Sequence, residues 1–561
     1  MSQDSEEQGS VERDAIAMME CLLCLLFDIR AEWALYQLTQ PTEYGSIAYE
    51  YEKNSYPLAL ADVWAGNSNA ETALQFLQKE DPHAAETGSI DFYSGFVLKG
   101  QTRKYFEFGN LLEPAYRDRM YQMMDWLTEA DPLSRELAAP RKFAEGSQDD
   151  CTTLVDCRNT DNLRAMRETS VYLMAETTGN EATRQLYKAH LERYVSTLLD
   201  IGMGEWDSPT YHGHTTAAYL NLYDFAQDPE VKQLAKDGLD WLFINAALRY
   251  WRGDWVAPAK RVHGDGAKRF FWLYFGDANP PEKSEKDWIH ALATTYQPPE
   301  LALQIARREF VKPLEIRRIH PHYENWKPQF YGPAFYETLY FGNTFQLGSL
   351  AKGTGGDWLG FDLHVIHAAG TDRLEIGKSD NHSIAQHHNL VIWSGQAAPE
   401  LTLPGGRVQK RRGITFVETE KTWLAMHSLP QGFVLEVGEQ ATHGPFEAFR
   451  KGVLERSRLI VEGNKITYQG SQGKTVALRP QGGNLPEVWR DEVLHDWAKH
   501  TDMEALYQAL EATGERVTSS NPFPKIERLE LPAPTLGILG LPLLSSLEQE
   551  SSVGDRDSAA R

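Results

Sequence analysis

Cysteine is scarce: Cys21, Cys24, Cys151 and Cys157 are the only four in 561 residues. So few thiols exclude a disulfide-stapled scaffold. Cys21 and Cys24 have CxxC spacing, but they lie inside the apolar run 16–27, which points to buried core thiols rather than a metal or redox pair. Long hydrophobic runs are missing as well. The stretch 534–547 is short and broken by Pro542, and no run reaches the ~20 apolar residues of a membrane-spanning helix. Positive charge is in deficit, with 56 Lys and Arg against 79 Asp and Glu and a formal net charge of −23. That balance argues against general binding to nucleic acid or to an anionic membrane. The first seven residues, Met-Ser-Gln-Asp-Ser-Glu-Glu, lack the basic region of a secretory signal, so the expected location is cytoplasmic.

What is present is ordinary globular composition with an aromatic excess. Hydrophobic residues make up 42% and charged residues 24%, so most of the chain is expected to fold, and its length calls for more than one domain. Fifteen Trp and 24 Tyr suit clefts that stack on flat ligands such as sugar rings, and equally suit large cores.

Periodicity divides the chain. Apolar residues recur at helical spacing over 11–38, 114–127, 162–176 and 181–199. Asp228-Pro229-Glu230 predicts a helix start, with Asp as N-cap and Pro at the first helical position. Further helices are predicted over 288–295 and 299–310. From about residue 314 the period becomes alternating, and 361–366, 389–394, 413–418, 422–427, 432–437, 458–461 and 465–469 read as strands, with Gly463-Asn464 as a hairpin turn. Many short strands without intervening helices predict a β-sandwich. Residues 494–513 return to helical spacing, followed by a polar tail. The expected domains are 11–312 (helical), 313–488 (strands) and 489–561 (helical extension and tail).

The densest polar and aromatic stretch is 205–223, which we read as the active site. Pro209 and Gly213 predict a loop, and 215–225 predicts a helix. The loop carries Glu205, Trp206, Asp207, Tyr211, His212 and His214; Tyr219 and Tyr223 share one face of the helix.

Three motifs then resemble a known group. His214-Thr215-x-x-x-Tyr219-x-x-x-Tyr223 is similar to the His-Thr-x3-Tyr-x3-Tyr arrangement of hyaluronate-type lyases. Asn159-Thr160-Asp161-Asn162 resembles the segment that supplies an active-site Asn in lyase-like toroids, with Asp161 and Leu163 in place of the usual Glu and His. Ala257-Pro258-Ala259-Lys260-Arg261 is similar to the loop that supplies an Arg. The resemblance, over about residues 150–480, is to polysaccharide lyases of the hyaluronate, chondroitin and heparinase-like group. It implies an incomplete α/α toroid followed by an antiparallel β-sandwich, and β-elimination on a uronic-acid glycan.

The catalytic residues implied are Asn162, His214, Tyr223 and Arg261. Asn162 and Arg261 would neutralise the substrate carboxylate, acting as fixed donors. Tyr223 would take the proton and return it to the leaving oxygen, while His214 would be either the base in its place or a carboxylate holder. Trp206, Tyr211, His212, Tyr219 and Lys260 would bind the sugars. The partner implied is an acidic oligo- or polysaccharide, with no nucleic acid, membrane, cofactor or metal. His364, His367, His382, His387 and His388 are spaced as zinc ligands could be, but no Cys joins them and they fall on different strands or turns. Alternatives are a lyase-fold enzyme acting on a small metabolite, a toroid glycoside hydrolase using Glu205 and Asp207, and a silent binding protein.

Overall fold

The computed structural model describes residues 27–41, 43–47, 51–79, 96–134, 136–142, 150–153, 160–256, 258–276, 279–323, 325, 330–353, 358–368, 370–377, 382–395, 401, 403–499 and 504–512. Helices come first. They cover 27–38, Glu52–Ala65, Ala70–Leu77, Phe96–Phe108, Pro114–Thr128, Asp161–Thr178, Glu181–Ile201, His212–Phe225, Pro229–Arg249, Gly266–Phe275, Trp288–Leu292 and Glu300–Ala306. Cys21, Cys24, Cys151's side chain, Cys157 and the polar tail lie outside what is described. No helix among the described residues is long and apolar enough to cross a membrane.

Local chemistry explains several boundaries. The Asp228 side chain accepts from Glu230 N at 2.9 Å, with Pro229 next to it, so the Pro229–Arg249 helix starts as an N-cap followed by Pro requires. Gly179 ends the Asp161–Thr178 helix in the left-handed conformation, φ 78°. The helix expected over 215–225 begins earlier, at His212, and takes Gly213 into its first turn. Gly266–Phe275 was not expected as a helix. It is ten residues long between Gly266 and Gly276, and its N-cap Asp265 makes no side-chain cap bond, so length and capping gave it little signature.

The His212–Phe225 helix is central to the helical half, packing against Asp161–Thr178 and Pro229–Arg249. Tyr219 lies so close to Gly238 that a Cβ there would stand 3.0 Å from the ring, so the closeness of these helices depends on glycine.

Two short antiparallel pairs, Glu136–Lys142 with Asp150–Thr153 and Tyr250–Trp251 with Asp254–Trp255, lie among the helices, and three larger antiparallel sheets follow. The first runs, in spatial order, Gly370–Gly377, Trp358–His367, Phe345–Leu350, Pro333–Phe341 and Leu314–Pro321. Ala259–Lys260 joins it by pairing with Leu359 and Trp358, which ties the Arg261 loop of the helical half to the strands. The second sheet runs Ser383–His387, Leu390–Ser394, Gly432–Glu439, Thr422–Leu429, Ile414–Glu418 and Arg407–Arg411. A third runs Arg458–Glu462, Lys465–Gln469, Thr475–Arg479, Glu487–Arg490 and Val493–Leu494, with Gly463-Asn464 as its first hairpin turn.

Alternation puts both faces of the second sheet to use. Val391 and Trp393 share an apolar cluster with Leu347, Phe361 and Leu363 of the first sheet. Leu390 and Ile392 cluster with Ile466, Tyr468 and Leu478 of the third. The expectation of strands without helices is corrected by Gln440–His443 and Phe446–Arg456, the second of which covers Phe416 and Trp423. The helical reading of 494–513 is corrected too: Val493–Leu494 is a strand, and among the described residues of that stretch only Glu504–Glu511 is helical. The molecule is therefore a mixed helical and antiparallel-strand protein.

Candidate active site

The site is built from three pieces of chain. The first turn of the His212–Phe225 helix and the residue before it contribute His214 and Tyr211. The Phe96–Phe108 helix brings Lys99 and Phe96, and the segment before Trp288–Leu292 brings Glu285 and Asp287. His214 Nδ1 and Lys99 Nζ both reach the Asp287 carboxylate, and Lys99 Nζ stands 2.8 Å from His214 Nδ1. Lys99 and Asp287 side chains are 2% and 3% exposed, whereas the His214 side chain is 22% exposed. The ion pair is thus sealed and the imidazole it holds reaches the surface.

Charge sets the protonation states. Burial, then the Lys99 charge, lowers the His214 pKa, so the ring is neutral at neutral pH. Burial would raise Asp287, but Lys99 and His214 outweigh it and hold this carboxyl well below the usual range. Burial and then the Asp287 charge push Glu285 up to about 7. Arg269 Nη2 stands 3.2 Å from Glu285. Two carboxyls two residues apart therefore differ in charge state, the pattern by which acids and bases are separated in active sites.

Tyr211 stands beside His214, ring centroids 6.1 Å apart, with Phe96 packed on both rings. The Arg261 guanidinium lies 5.0 Å over the Tyr211 ring, with Nη2 3.4 Å from the phenol oxygen. Arg261 has φ 60°, a left-handed backbone uncommon outside glycine and frequent where a side chain is held for function. Its Nε is 3.4 Å from Glu205 Oε1.

Glu205 connects this group to Asn162. Asn162 N donates to Glu205 Oε2 at 2.9 Å, and Glu205 N donates to Asp161 Oδ2 at 2.8 Å, so two acidic groups occupy the positive end of the Asp161–Thr178 helix. Thr160 is the N-cap residue of this helix. Asn162 Oδ1 accepts from Thr160 Oγ1 and from Leu163 N, while its Nδ2 finds no acceptor among the described residues. Two polar groups therefore meet at one edge: Asn162, Glu205, Arg261 and Tyr211 on one side, and His214, Asp287 and Lys99 on the other, with the Tyr211 and His214 rings 6.1 Å apart between them.

The other expected residues are placed elsewhere. Tyr223 is nine residues from His214 on the same helix, about 13.5 Å along its axis. It packs edge-on to Tyr296 at 5.5 Å with Lys232 over its ring, so the expected convergence with His214 is corrected. Trp206, His212 and Tyr219 are 1%, 0% and 0% exposed and cannot line a cleft. Trp206 stacks on His320, His212 Nε2 stands 3.0 Å from Leu242 O, and Tyr219 stacks on Tyr194. Burial lowers the His212 pKa to about 4, as for a neutral core imidazole. Lys260 is half-buried, its Nζ over the Tyr323 ring.

Asp207, one of the carboxylates of the hydrolase alternative, is sealed in a second ionic cluster. Arg249 bonds both Asp207 and Glu337, His320 Nε2 is 3.0 Å from Glu337, and Asn245 Nδ2 donates to Asp207 at 2.5 Å. Burial would raise Asp207, but Arg249 and His320 hold it at about 2. Among the expected histidine group, His364 lies 3.1 Å from Asp362 and His382 stacks on Trp393. His387 and His388 share a cluster with Glu315, potential ligand atoms within 4.8 Å, whose carboxylate charge is already met by Arg490 at 2.8 Å.

Lys99, Glu285 and Asp287 were missed by sequence reasoning. Lys99 sits in an unremarkable amphipathic segment, and Glu285-Lys286-Asp287 reads as a solvated charge run. The one available signal was Asp287 immediately before a predicted helix.

No family model matches the chain, and no curated protein matches it. Among solved structures the chain is similar to one described as "Crystal Structure of Heparinase III", at 8% identity over 78% of this chain and 71% of that chain, with a TM-score of 0.31. At that score the likeness assigns no role to any residue.

Proposed function

We propose that the protein is a carbon–oxygen lyase acting on a uronic-acid-containing glycan, with His214 and Tyr211 as its proton-transfer pair. The observation that carries this reading is the partly exposed His214–Tyr211 edge, backed on one side by the sealed Lys99–Asp287 pair and on the other by Arg261. The helical half fits the proposed toroid and the stacked sheets fit the proposed sandwich.

Asp287 draws a hydrogen onto His214 Nδ1 and the donor-only Lys99 ammonium at 2.8 Å opposes it; in this reading the carboxylate prevails and the Nε2 lone pair is the base. His214 removes the proton from the carbon next to the substrate carboxylate. The electron pair forms the new carbon–carbon double bond as the glycosidic carbon–oxygen bond breaks, and Tyr211 gives its proton to the leaving oxygen. Arg261 suits a bidentate contact with the substrate carboxylate and stabilises negative charge on the Tyr211 oxygen. Asn162, with an unused amide donor, adds a fixed dipole on the same side.

A hydrolytic second reading is favoured by one observation: Glu285 is pushed up to about 7 beside a permanently charged Asp287. Both carboxyls lie on one wall, however, rather than across a cleft. The product decides. Incubation with alginate, hyaluronan, chondroitin and heparin is expected to raise the ultraviolet absorbance of a conjugated double bond. New reducing ends without that absorbance would support hydrolysis, and neither product from any polymer would remove both readings.

A further inference from the structure

A cavity of about 410 Å³ opens at the C-terminal end of the Gly266–Phe275 helix, whose first residue lies beside Glu285 about 15 Å away along the axis. Its charged lining is Arg30, Arg252, Arg307, Arg308, Lys312 and Glu309: five cations and one acid in a protein whose formal net charge is −23. Trp251 and Phe275 supply flat apolar wall between them. Asn343, also at the rim, donates to the buried Glu439 carboxylate, which therefore stands behind an amide rather than open to the cavity.

The cations are fixed by the fold. Arg308 donates to the carbonyls of Ala247, Ile305 and Leu248 and to Gln346, and so is locked as a charge in the wall. Arg30 Nε and Nη2 donate to the carbonyls of Leu273 and Tyr274 at the end of the Gly266–Phe275 helix. A Cβ on Gly276 would stand 2.3 Å from that guanidinium, so glycine is what lets Arg30 lie there. Arg252 and Arg308 both have left-handed backbones, φ 52° and 60°. Lys312 Nζ donates to Arg308 O at 2.7 Å and keeps two further hydrogens. Arg307, half-buried, has no ion-pair partner among the described residues.

Arg307 and the spare Lys312 hydrogens thus bring positive charge and donors to one concave wall, where an anion would be attracted by both. The volume is that of a small-molecule site. We propose that this cavity is a second ligand site, separate from the His214 site, for a small molecule carrying two or more tetrahedral oxyanion groups, either phosphates or sulfate esters.

The test is isothermal titration of the full chain with inorganic pyrophosphate, adenosine diphosphate and a disulfated disaccharide, the last two separating phosphate from sulfate sources. At least one is expected to bind saturably at one site per chain, more weakly as sodium chloride is raised. Arg307→Glu is expected to weaken that binding by about tenfold or more, while Arg261→Gln leaves it within about twofold. If Arg307→Glu alters the circular dichroism spectrum, Arg307→Gln is used in its place. Absence of binding by all three ligands overturns the proposal, as does binding that survives the Arg307 change or is lost with Arg261→Gln.

Discussion

Two buried ionic clusters contain the same chemical types and differ in exposure. Around Arg249, two carboxylates and an imidazole are sealed, with Asp207, Glu337 and Arg249 all at 0% side-chain exposure. Around Asp287, a lysine and a carboxylate are equally sealed, but the imidazole they hold is 22% exposed. A buried network whose every member faces inward contributes specificity and rigidity. When one titratable member reaches solvent, the same network becomes a support that orients it. The contrast distinguishes a structural cluster from a candidate site without reference to residue type.

The comparison can be broken at several points. The largest effect is expected at His214: His214→Gln should lower turnover in the proposed elimination by about 10²–10⁴-fold and leave the thermal midpoint nearly unchanged, read by absorbance and calorimetry. An equal loss of stability would make that cluster structural like the other. Arg249→Met should do the reverse, costing about 3–5 kcal/mol by leaving two buried carboxylates without their cation, as denaturant titration would measure.

Next comes Tyr211→Phe against Tyr223→Phe. The first should reduce turnover by about 10²-fold or more, while the second, at the far end of the helix, should change it less than about twofold. Reversed outcomes would restore Tyr223 as the proton donor.

A smaller effect is expected in pH dependence. His212, His388 and His495 have folded pKa values lowered by burial to about 4. The unfolded chain therefore binds more protons between pH ~6.5 and ~4, and stability should rise with pH through that window. Glu285 acts in the opposite sense: its folded pKa of about 7 favours the fold at low pH, and that contribution is lost between ~4.5 and ~7. Stability curves of Glu285→Gln and the parent should therefore converge at acid pH and diverge near neutrality. Parallel curves would mean that Glu285 is not held protonated.

Much of the helical half could be read locally. The Asp228-Pro229 start, the helices near 162–176 and 181–199, and the Gly463-Asn464 hairpin were legible because caps, Pro and alternation act over a few residues. Gly266–Phe275 was not, because it is short, lies between two glycines and has no side-chain N-cap. Within the stretch 205–223 the sequence marked the right neighbourhood and misassigned its members. His212 and Tyr219 are the same residue types as His214 and Tyr211, and only the packing around them determines which imidazole and which phenol reach solvent.

By itself, then, the sequence determined the order of helices before strands, the acidic balance and the concentration of His and Tyr around position 212, since each follows from short-range pattern or composition. Tertiary structure alone decided that Lys99 and Asp287, 188 positions apart, meet behind His214, that Tyr223 stays a helix-length away, and that Arg30 joins Arg307 in one cavity. Such meetings depend on how helices and sheets pack across long separations, a quantity no local pattern encodes.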